Sequence, residues 1–399
     1  MMLNIKIMIA KIKYRLLKSY RFLFGYGYRG LKKIVRWCSN HQNYTGVMLD
    51  AYKFLIAMKV DTGKVSREEV KQYRARWRQL WPWVPSIFIK IFPPFSGVKS
   101  PDYVPKTLYY NLIEPLLNDV ESSRSFADKN MYGRLLDPDI QPRALLRKMH
   151  GQYYDHHYNP VPDVDDFFSS GELTGKKYII KPAIDSQGGK SIALLEGRSG
   201  HLWQGEQKIS RQWLENQYKD NFLIQEYVRQ HPFYAKLNES SLNTMRLYTY
   251  KSVKDNVIHF LFAMIRVGKP GALIDNISRG GKAIGLLPDG TLKSKTPNGA
   301  GEICLEGGGF DLGENVKAVG FNAVKEMALK VAAHQYYSRI IGFDFCVDEN
   351  EKVWLIELNN YDIGIDRIQK CDGPLFGEFT DEVIAYCKEK KKGFRYLIR

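Results

Sequence analysis

Cysteine is scarce in this sequence of 399 residues. The five cysteines are far apart and include no C-x-x-C pair. This spacing excludes the usual zinc-binding motifs and a framework of disulfide bonds. We therefore expect a protein of the reducing cytoplasm.

Long apolar runs are missing as well. Basic residues interrupt the apolar clusters near the start, at Lys11, Lys13, Arg15, Lys18 and Arg21. No stretch reaches the roughly 20 residues that a transmembrane helix needs, and none resembles the apolar part of a signal peptide. The sequence predicts neither a membrane-spanning helix nor export.

Acidic residues are absent before Asp50, whereas ten lysines and arginines lie in that segment and contribute most of the formal net charge of +16. They are interleaved with aliphatic and aromatic residues, including Trp37, as in helices that lie on anionic lipid headgroups. We predict that residues 1–37 bind an anionic membrane surface, which would make the protein cytoplasmic and peripheral at the inner face of the membrane. A solvated arm, or one that binds nucleic acid, is the alternative. We expect no nucleic-acid partner.

The first part of the chain has a helical pattern. Apolar residues recur at helical spacing between about residues 45 and 83, and Ser66, followed closely by two glutamates, is typical of a helix N-terminus. We predict a basic, mostly helical region over residues 1–100 and a catalytic region over residues 101–399. Further helices are expected between residues 102 and 150.

From Lys176 onward the sequence favours short β-strands separated by Gly and Asp. The predicted strands are Lys177–Lys181, Ser191–Leu195, Phe222–Val228, Thr244–Lys251, Val257–Val267, Arg339–Val347 and Lys352–Asn359. Two helices are expected to interrupt them, one after Ser210 and one from about Asn315 to Tyr337. Antiparallel strands with helices in between predict an α+β fold rather than a doubly wound parallel sheet.

The last two predicted strands form a β-hairpin around a polar turn. Counting outward from the turn brings Asp344 opposite Glu357, and the two-residue period places Glu357 and Asn359 on one face. Carboxylates among so many apolar residues need a compensating charge. Oxygen ligands suit Mg²⁺. The alternative is a buried carboxylate paired with Arg or Lys.

Three further segments are informative only in combination. Lys181 ends an apolar strand and is followed by a Gly-rich turn, which fits phosphate binding but also an ordinary hairpin. The strand Phe222–Val228 turns polar at its end, and such an edge could offer backbone groups to an adenine ring, although in isolation the segment is an ordinary strand. The segment from Ile274 to Lys282 has the composition of a polar loop, yet its amide, guanidinium and backbone N–H groups could orient an anion.

The order of these motifs resembles the ATP-grasp enzymes. Lys-Pro, Gly-Gly, Gln-Glu, Arg, and then Asp with Glu-x-Asn follow one another from Lys181 to Asn359. Asn243-Thr-Met-Arg-Leu, Asp275-Asn-Ile-Ser-Arg-Gly-Gly and Gly342-Phe-Asp-Phe are similar to the sugar-transfer-associated ATP-grasp proteins found with polysaccharide biosynthesis enzymes. The resemblance covers about Phe126 to Asn360. It implies an ATP-grasp fold, in which two α+β subdomains hold ATP, preceded by the N-terminal helical region.

The same resemblance implies roles for individual residues. The lid subdomain would span about residues 175–228 and the metal-binding subdomain about residues 240–390. The residues implied for ATP are Lys129, Lys181, Gly188, Gly189, Gln225, Glu226, Tyr227 and Val228. Those implied for Mg²⁺ are Asp344, Glu357 and Asn359. Those implied for catalysis are Lys181, Arg246 and Arg279, and those for the substrate are Asn276, Arg279, Gly280 and Gly281.

The function implied is that of a Mg·ATP-dependent ligase that joins a carboxylate to an amine through an acyl-phosphate. The substrate would be a small molecule or a lipid-linked saccharide in the assembly of a capsule or another surface polysaccharide. A kinase acting on a sugar hydroxyl, and a non-catalytic membrane-associated assembly factor that keeps the fold, are the alternatives.

The membrane prediction can be tested by deleting residues 1–37. Each Lys or Arg near an anionic surface contributes about 1 kcal/mol, so we expect the full chain, but not the deletion variant, to sediment with liposomes that contain anionic lipid. High salt should release part of the bound protein, because the Debye length falls to about 3 Å at 1 M. Liposomes of neutral lipid are the control. Equal sedimentation of the two proteins would assign the basic segment another role.

Overall fold

The structure is a computed structural model, and it describes residues 65–82, 84–169, 173–184, 191–218, 220–277, 280–293, 296–297, 303–304, 306–307, 310–311 and 315–391. The proposed membrane segment 1–37, the Gly188-Gly189 turn and Arg279 lie outside these residues. Within them, no helix combines the length and the apolar character that crossing a bilayer requires.

Helices precede and interrupt the strands along the described part of the chain. The helices are α1 (Arg67–Arg78), α2 (Phe88–Ile91), α3 (Pro93–Ser96), α4 (Lys106–Leu108), α5 (Glu114–Leu117), α6 (Val120–Ser123), α7 (Tyr132–Leu135), α8 (Val164–Phe168), α9 (Arg211–Tyr218), α10 (Pro232–Leu237), α11 (Phe321–Ala333), α12 (Asp366–Cys371) and α13 (Thr380–Lys390). A π-helical turn spans Tyr109–Ile113, and 3-10 turns span Arg124–Ala127 and Gly377–Phe379.

The strands form two main sheets and two short ribbons. They are β1 (Ala144–Met149), β2 (Gln152–Tyr154), β3 (Lys177–Pro182), β4 (Ala193–Arg198), β5 (His201–Gln204), β6 (Gln207–Lys208), β7 (Phe222–Glu226), β8 (Thr244–Lys251), β9 (Ile258–Val267), β10 (Lys282–Gly285), β11 (Thr296–Pro297), β12 (Ile303–Cys304), β13 (Glu306–Gly307), β14 (Phe310–Asp311), β15 (Ile340–Val347) and β16 (Val353–Asn359). This mixture of helices and antiparallel sheets confirms the α+β class.

Helix α1 begins where the sequence predicts. The Ser66 hydroxyl accepts a hydrogen bond from the Glu69 amide at 3.1 Å, and the Ser66 amide donates to the Glu69 carboxylate at 2.7 Å. This reciprocal pair satisfies two of the N–H groups that a helix N-terminus leaves without an intrahelical partner.

The first sheet has seven strands in the order β2-β1-β7-β3-β4-β5-β6. The prediction of helices up to residue 150 is wrong at its end, because β1 pairs with β7 and β2 inside this sheet. A two-residue turn joins β1 to β2, and both its residues, His150 and Gly151, have positive φ angles of 47° and 84°. Such turns match the twist of an antiparallel hairpin. The sheet therefore starts about 30 residues before the predicted lid.

The second sheet has five strands in the order β10-β9-β8-β15-β16. The predicted strand Thr244–Lys251 has the same bounds in the structure. The predicted hairpin is confirmed as β15 and β16, with Asp344 opposite Glu357. A bulge follows Asp344, because the next pair is Phe345 with Leu355. Helix α11 packs on one face of this sheet and shares a core with Met245, Leu247 and Phe343.

The described part of the N-terminal region packs on the other face of the second sheet. Trp77 and Tyr109 belong to the same buried cluster as Tyr248 and Tyr250 of β8 and residues of α12 and α13. The predicted boundary at residue 100 therefore does not separate two cores. The helices between residues 65 and 117 share a core with this sheet.

Asn118 connects this N-terminal region to the hairpin through hydrogen bonds. Its buried amide nitrogen donates to the carbonyls of Ile340 and Asn360 at 2.8 and 2.7 Å, and its oxygen accepts from the amides of Arg339 and Ile340 at 2.8 and 3.0 Å. Four hydrogen bonds from one side chain hold α5 against the start of β15.

Asn118→Ala is expected to lower the free energy of unfolding by about 3 kcal/mol, because it leaves several buried backbone groups without a partner. Urea denaturation measures the change. Asn111→Ala is the matched control, since its amide makes one exposed hydrogen bond to the Thr107 carbonyl. Equal small effects in both variants would contradict the role assigned to Asn118.

Candidate functional site

Residues of both sheets line one cavity of about 640 Å³. The first sheet and the segment after β7 contribute Ile179, Lys181, Gln225, Glu226, Tyr227 and Val228. The second sheet contributes Thr244, Arg246, Tyr248, Met264, Arg266, Asp344, Glu357 and Asn359. Lys129 and Asn276 complete the set of predicted site residues that face the cavity.

The two-residue period of β8 and β9 brings polar side chains to the cavity. Thr244 and Arg246 alternate along β8 with Met245 and Leu247, which are buried against α11. On β9, Arg266 occupies the cavity face in the same way. The part of this face that borders the cavity is therefore charged, whereas the opposite face is apolar.

Two arginines surround the Asp344 carboxylate. Arg246 Nε donates to Oδ1 at 2.6 Å and Arg246 Nη2 donates to Oδ2, which also accepts from Arg266 Nη1 at 2.6 Å. Burial alone would raise the pKa of Asp344, but the two guanidinium groups outweigh it and lower that pKa. A buried carboxylate paired with arginine is the alternative that the sequence left open, and binding of Mg²⁺ by Asp344 stays a prediction.

Arg266 connects this pair to a second buried acid. Its Nη2 lies 3.1 Å from Asp275 Oδ1, while the other Asp275 oxygen accepts hydrogen bonds from the amide and hydroxyl of Thr244. Burial raises the pKa of Asp275, and the nearby Asp344 adds to this effect. Arg266 thus lies between two carboxylates, so that the cluster alternates in charge.

The two predicted phosphate-binding lysines contact the second strand of the hairpin, β16, whereas the arginines contact β15. Lys129 Nζ donates to Glu357 Oε1 at 2.9 Å, and Lys181 Nζ contacts the Ile356 carbonyl at 3.4 Å. Burial, together with the charge of Lys129, lowers the pKa of Lys181 to about 7. Glu357 has a lowered pKa as well, because Lys129 outweighs the opposite effect of burial. The lysines therefore enter the site next to the predicted metal-binding strand.

Two amide side chains of residues that line the cavity have a buried atom without a hydrogen-bond partner among the described residues. These atoms are Gln225 Oε1 and Asn359 Nδ2. By contrast, the amides of Glu226 and Tyr227 already donate to the carbonyls of Arg143 and Lys177. Buried polar atoms usually have a partner, and both residues line the cavity, where a ligand can supply one.

The predicted substrate-side residues are not all brought together. Asn276 is buried and lines the cavity. The amides of Gly280 and Gly281 instead donate to the carbonyls of Ile277 and Asn276, at 3.2 and 3.3 Å. These N–H groups are used within the turn, and their role as donors to the substrate stays a prediction.

The sequence alone did not indicate a role for Arg266, for its partner Asp275, or for the basic residues Lys106, Arg367 and Lys370, which also line the cavity. Arg266 lies inside a predicted strand. A single arginine near the end of an otherwise apolar strand was the available signal, since such a charge requires a buried partner.

The facing sheets, the lysines of one side and the acidic hairpin of the other define an ATP-grasp protein. The chain belongs to the family described as sugar-transfer-associated ATP-grasp, whose model matches residues 111–374. This confirms the family and the fold that the motifs indicated. A search of curated proteins found no match.

Solved structures to which the chain is similar include N5-carboxyaminoimidazole synthetase from Staphylococcus aureus, with 10% identity, a TM-score of 0.35, and coverage of 66% of this chain and 51% of that one. The N5-carboxyaminoimidazole ribonucleotide synthetase from Thermotoga maritima has 10% identity, a TM-score of 0.35, and coverage of 67% and 50%. The ATP-grasp ligase PsnB, solved with a minimal precursor, Mg and ADP, has 14% identity, a TM-score of 0.36, and coverage of 67% and 61%. The chain thus spans about half the length of the first two.

Arg266→Leu is expected to lower the free energy of unfolding by about 3 kcal/mol near neutral pH, since it removes one partner from two buried carboxylates. Pairing lowers the folded-state pKa of Asp344, so this stabilisation is present above the pKa of the unfolded chain and is lost as the pH falls. The difference between variant and wild type should therefore shrink below about pH 4.

Denaturant unfolding near neutral pH and below about pH 4 measures the difference in stability between Arg266→Leu and wild type. Arg229→Ala is the control, because the Arg229–Glu349 pair, at 3.4 Å, is exposed to solvent and such pairs contribute little. A loss of stability in Arg266→Leu that does not change with pH would argue for a packing role of the side chain.

Proposed function

We propose that this protein is a Mg·ATP-dependent ligase that activates a carboxylate as an acyl-phosphate and joins it to an amine. The observation that carries the proposal is the convergence of Lys129 and Lys181 with the Asp344, Glu357 and Asn359 hairpin on one cavity of an ATP-grasp family member. Cations and oxygen ligands at one place are what Mg·ATP requires.

The lysines suit the phosphates of ATP. Lys181 is held in a buried position that disfavours its charged form, and a nearby polyphosphate would reverse this effect. Lys129 is buried as well, and its partner Glu357 is one of the proposed metal ligands. Binding of phosphate to Lys129 and of a cation to Glu357 would replace one ion pair with two favourable contacts.

At the adenine end, the groups after β7 fit a planar base with a donor and acceptor edge. Gln225 Oε1 is a candidate acceptor for the exocyclic amine, because it is buried without a partner among the described residues. Glu226, Tyr227 and Val228 line the same end of the cavity. The amides of Glu226 and Tyr227 already donate hydrogen bonds within the sheet. The adenine base would therefore bind to the backbone carbonyls of this segment and to the amide of Val228.

The donors near the hairpin fit Mg²⁺. Within the described residues no three His, Cys, Asp or Glu side chains cluster as a metal site, so two carboxylates and the Asn359 amide would make up the set. Asn359 has an unpaired amide atom here, and rotation of the amide would present its oxygen. Bound Mg²⁺ would supply positive charge that neutralises the phosphate oxygens.

In the proposed reaction, an oxygen of the substrate carboxylate forms a bond to the terminal phosphorus of ATP, and the bond from that phosphorus to ADP breaks. An amine then attacks the acyl carbon, phosphate leaves with the bonding electron pair, and the amine loses a proton. Lys181 and Arg246 would balance the charge that develops on the transferred group. No protein nucleophile takes part.

A role in surface-polysaccharide biosynthesis completes the proposal. It is supported by the description of the family as sugar-transfer-associated. The acceptor would then be a saccharide or a sugar acid, either free or lipid-linked, and attachment of residues 1–37 to the inner face of the membrane would bring the site close to lipid-linked substrates.

The test is to incubate the protein with Mg·ATP and pooled amino acids and sugar acids, and to measure ADP release together with the product. An amide supports the ligase, whereas a phosphate ester would assign the protein as a sugar kinase. Glu357→Gln is expected to reduce ADP release by about 100-fold or more, because it removes charge next to the phosphates. Glu349→Gln, on the exposed hairpin turn, should retain activity. Full activity of Glu357→Gln would refute the metal assignment.

A second prediction concerns the charge of Lys181. With a pKa of about 7, this side chain is mostly neutral at about pH 8.5, and bound phosphates favour its charged form. Binding of ADP at that pH is therefore expected to take up close to one proton. Calorimetry in buffers with different ionisation enthalpies measures the uptake, which should disappear in Lys181→Met. Unchanged uptake in that variant would place the proton on another group.

A further inference from the structure

The cavity continues past the proposed nucleotide groups to a second cluster of cations. Lys106, Arg367 and Lys370 line this part together with Tyr110, and we refer to these four residues as the basic end. Lys106 comes from α4 and the other two cations from α12. None of the four belongs to the residues that the family resemblance implies for ATP or Mg²⁺.

The basic end is held by buried contacts. Gln369 of α12 is fully buried, and its side chain accepts from the Val104 amide at 2.8 Å and donates to the Val104 carbonyl at 3.1 Å. This pair fixes α12 against the segment that leads into α4. Lys106 Nζ lies 2.7 Å from Asp366 Oδ2. Arg367 and Lys370 therefore lie on a helix that is packed against the segment leading into α4.

Cations outnumber carboxylates at this end. Lys106, Arg367 and Lys370 line it together with Asp362 and Asp366. Arg266, which is paired with Asp275 and Asp344, lines the neighbouring part of the cavity. Burial, and then the charge of Arg266, lowers the pKa of Arg367. Burial also lowers the pKa of Lys370 to about 8, with Arg367 and Lys106 contributing. An anionic ligand here would favour the charged forms that burial opposes.

The remaining lining of this end suits a sugar. The rings of Tyr110 and Tyr361 and the carboxylate of Asp362 line it, and a carboxylate accepts hydrogen bonds from hydroxyl groups. Apolar ring faces combined with a few charged acceptors are typical of small-molecule sites.

We propose that the basic end binds the anionic group of a sugar, either a carboxylate or a phosphate, and so presents this substrate to the transferred phosphoryl group. The inference rests on the proposed function for its place in the reaction. It goes further by naming the residues that recognise the substrate and the chemical class that they recognise.

The experiment is a binding measurement on the full chain in the presence of ADP, so that no turnover is needed. The probes are glucuronic acid and glucose 6-phosphate, with neutral glucose as the control, followed by calorimetry or ligand-observed NMR. We expect at least one anionic sugar to bind and glucose not to bind. Whichever of the two binds more tightly identifies carboxylate or phosphate as the recognised group.

Lys370→Met is expected to weaken this binding by about tenfold or more, because it removes a charged hydrogen-bond donor. Lys370→Arg should retain most of the affinity, because it keeps the positive charge. This result would show that substitution at this position does not by itself disrupt binding. Lys254→Met, at an exposed turn, should behave as wild type. ADP affinity should change less than about twofold in all three variants.

Three outcomes would overturn the proposal. Neither anionic sugar binds to the wild-type chain, or Lys370→Met binds the sugar as tightly as wild type does, or Lys370→Met loses ADP in parallel, which would assign the basic end to the nucleotide. Sugar binding that depends on Lys370, without any amide product in the ligase assay, would instead retain the site and refute the ligase reaction.

Discussion

The burial of one negative charge, on Asp344, constrains the second sheet. Every residue of β15 is buried, and a carboxylate in such a strand is costly unless opposite charge reaches it. Arg246 supplies that charge from the neighbouring strand, directly across the ladder, and Arg266 supplies it from the next strand along. The strand order β9-β8-β15 therefore satisfies the charge, and the same order leaves the opposite face of these strands apolar for α11.

This arrangement prepares the cavity for a highly charged ligand. At the hairpin, the neighbouring carboxylates of Glu357 and Asp344 are each paired with a cation, Lys129 for the first and Arg246 for the second. Each charge has a partner in the chain, so the cations and carboxylates remain in position without a ligand. A nucleotide with its metal would exchange some of these partners rather than bring charges into an apolar space, which lowers the reorganisation that binding requires.

The sequence predicted best those elements whose pattern is local. The hairpin of β15 and β16 follows from the two-residue period and a polar turn, so its register could be counted from the turn. Strand β1 was missed because Arg147 and Lys148 interrupt its apolar character, although both are buried in the fold. The two-residue turn ending in Gly151 was the available signal. Ion pairs such as Arg266 with Asp275 could not be predicted, because they depend on which distant segments meet.

The N-terminal region has a structural part in forming the cavity. The segment between β16 and α12 is held from outside the sheets: the Asn360 side chain donates to the Ser123 carbonyl at 2.7 Å, and the Ile363 amide donates to buried Glu114 at 2.8 Å. This segment joins the strand that carries Glu357 to the helix that carries Arg367 and Lys370. Residues 104–123 therefore fix the distance between the two ends of the cavity. Since Lys181, Asp344 and Glu357 lie on the sheets, variation in these helices would alter the basic end while leaving these three groups in place.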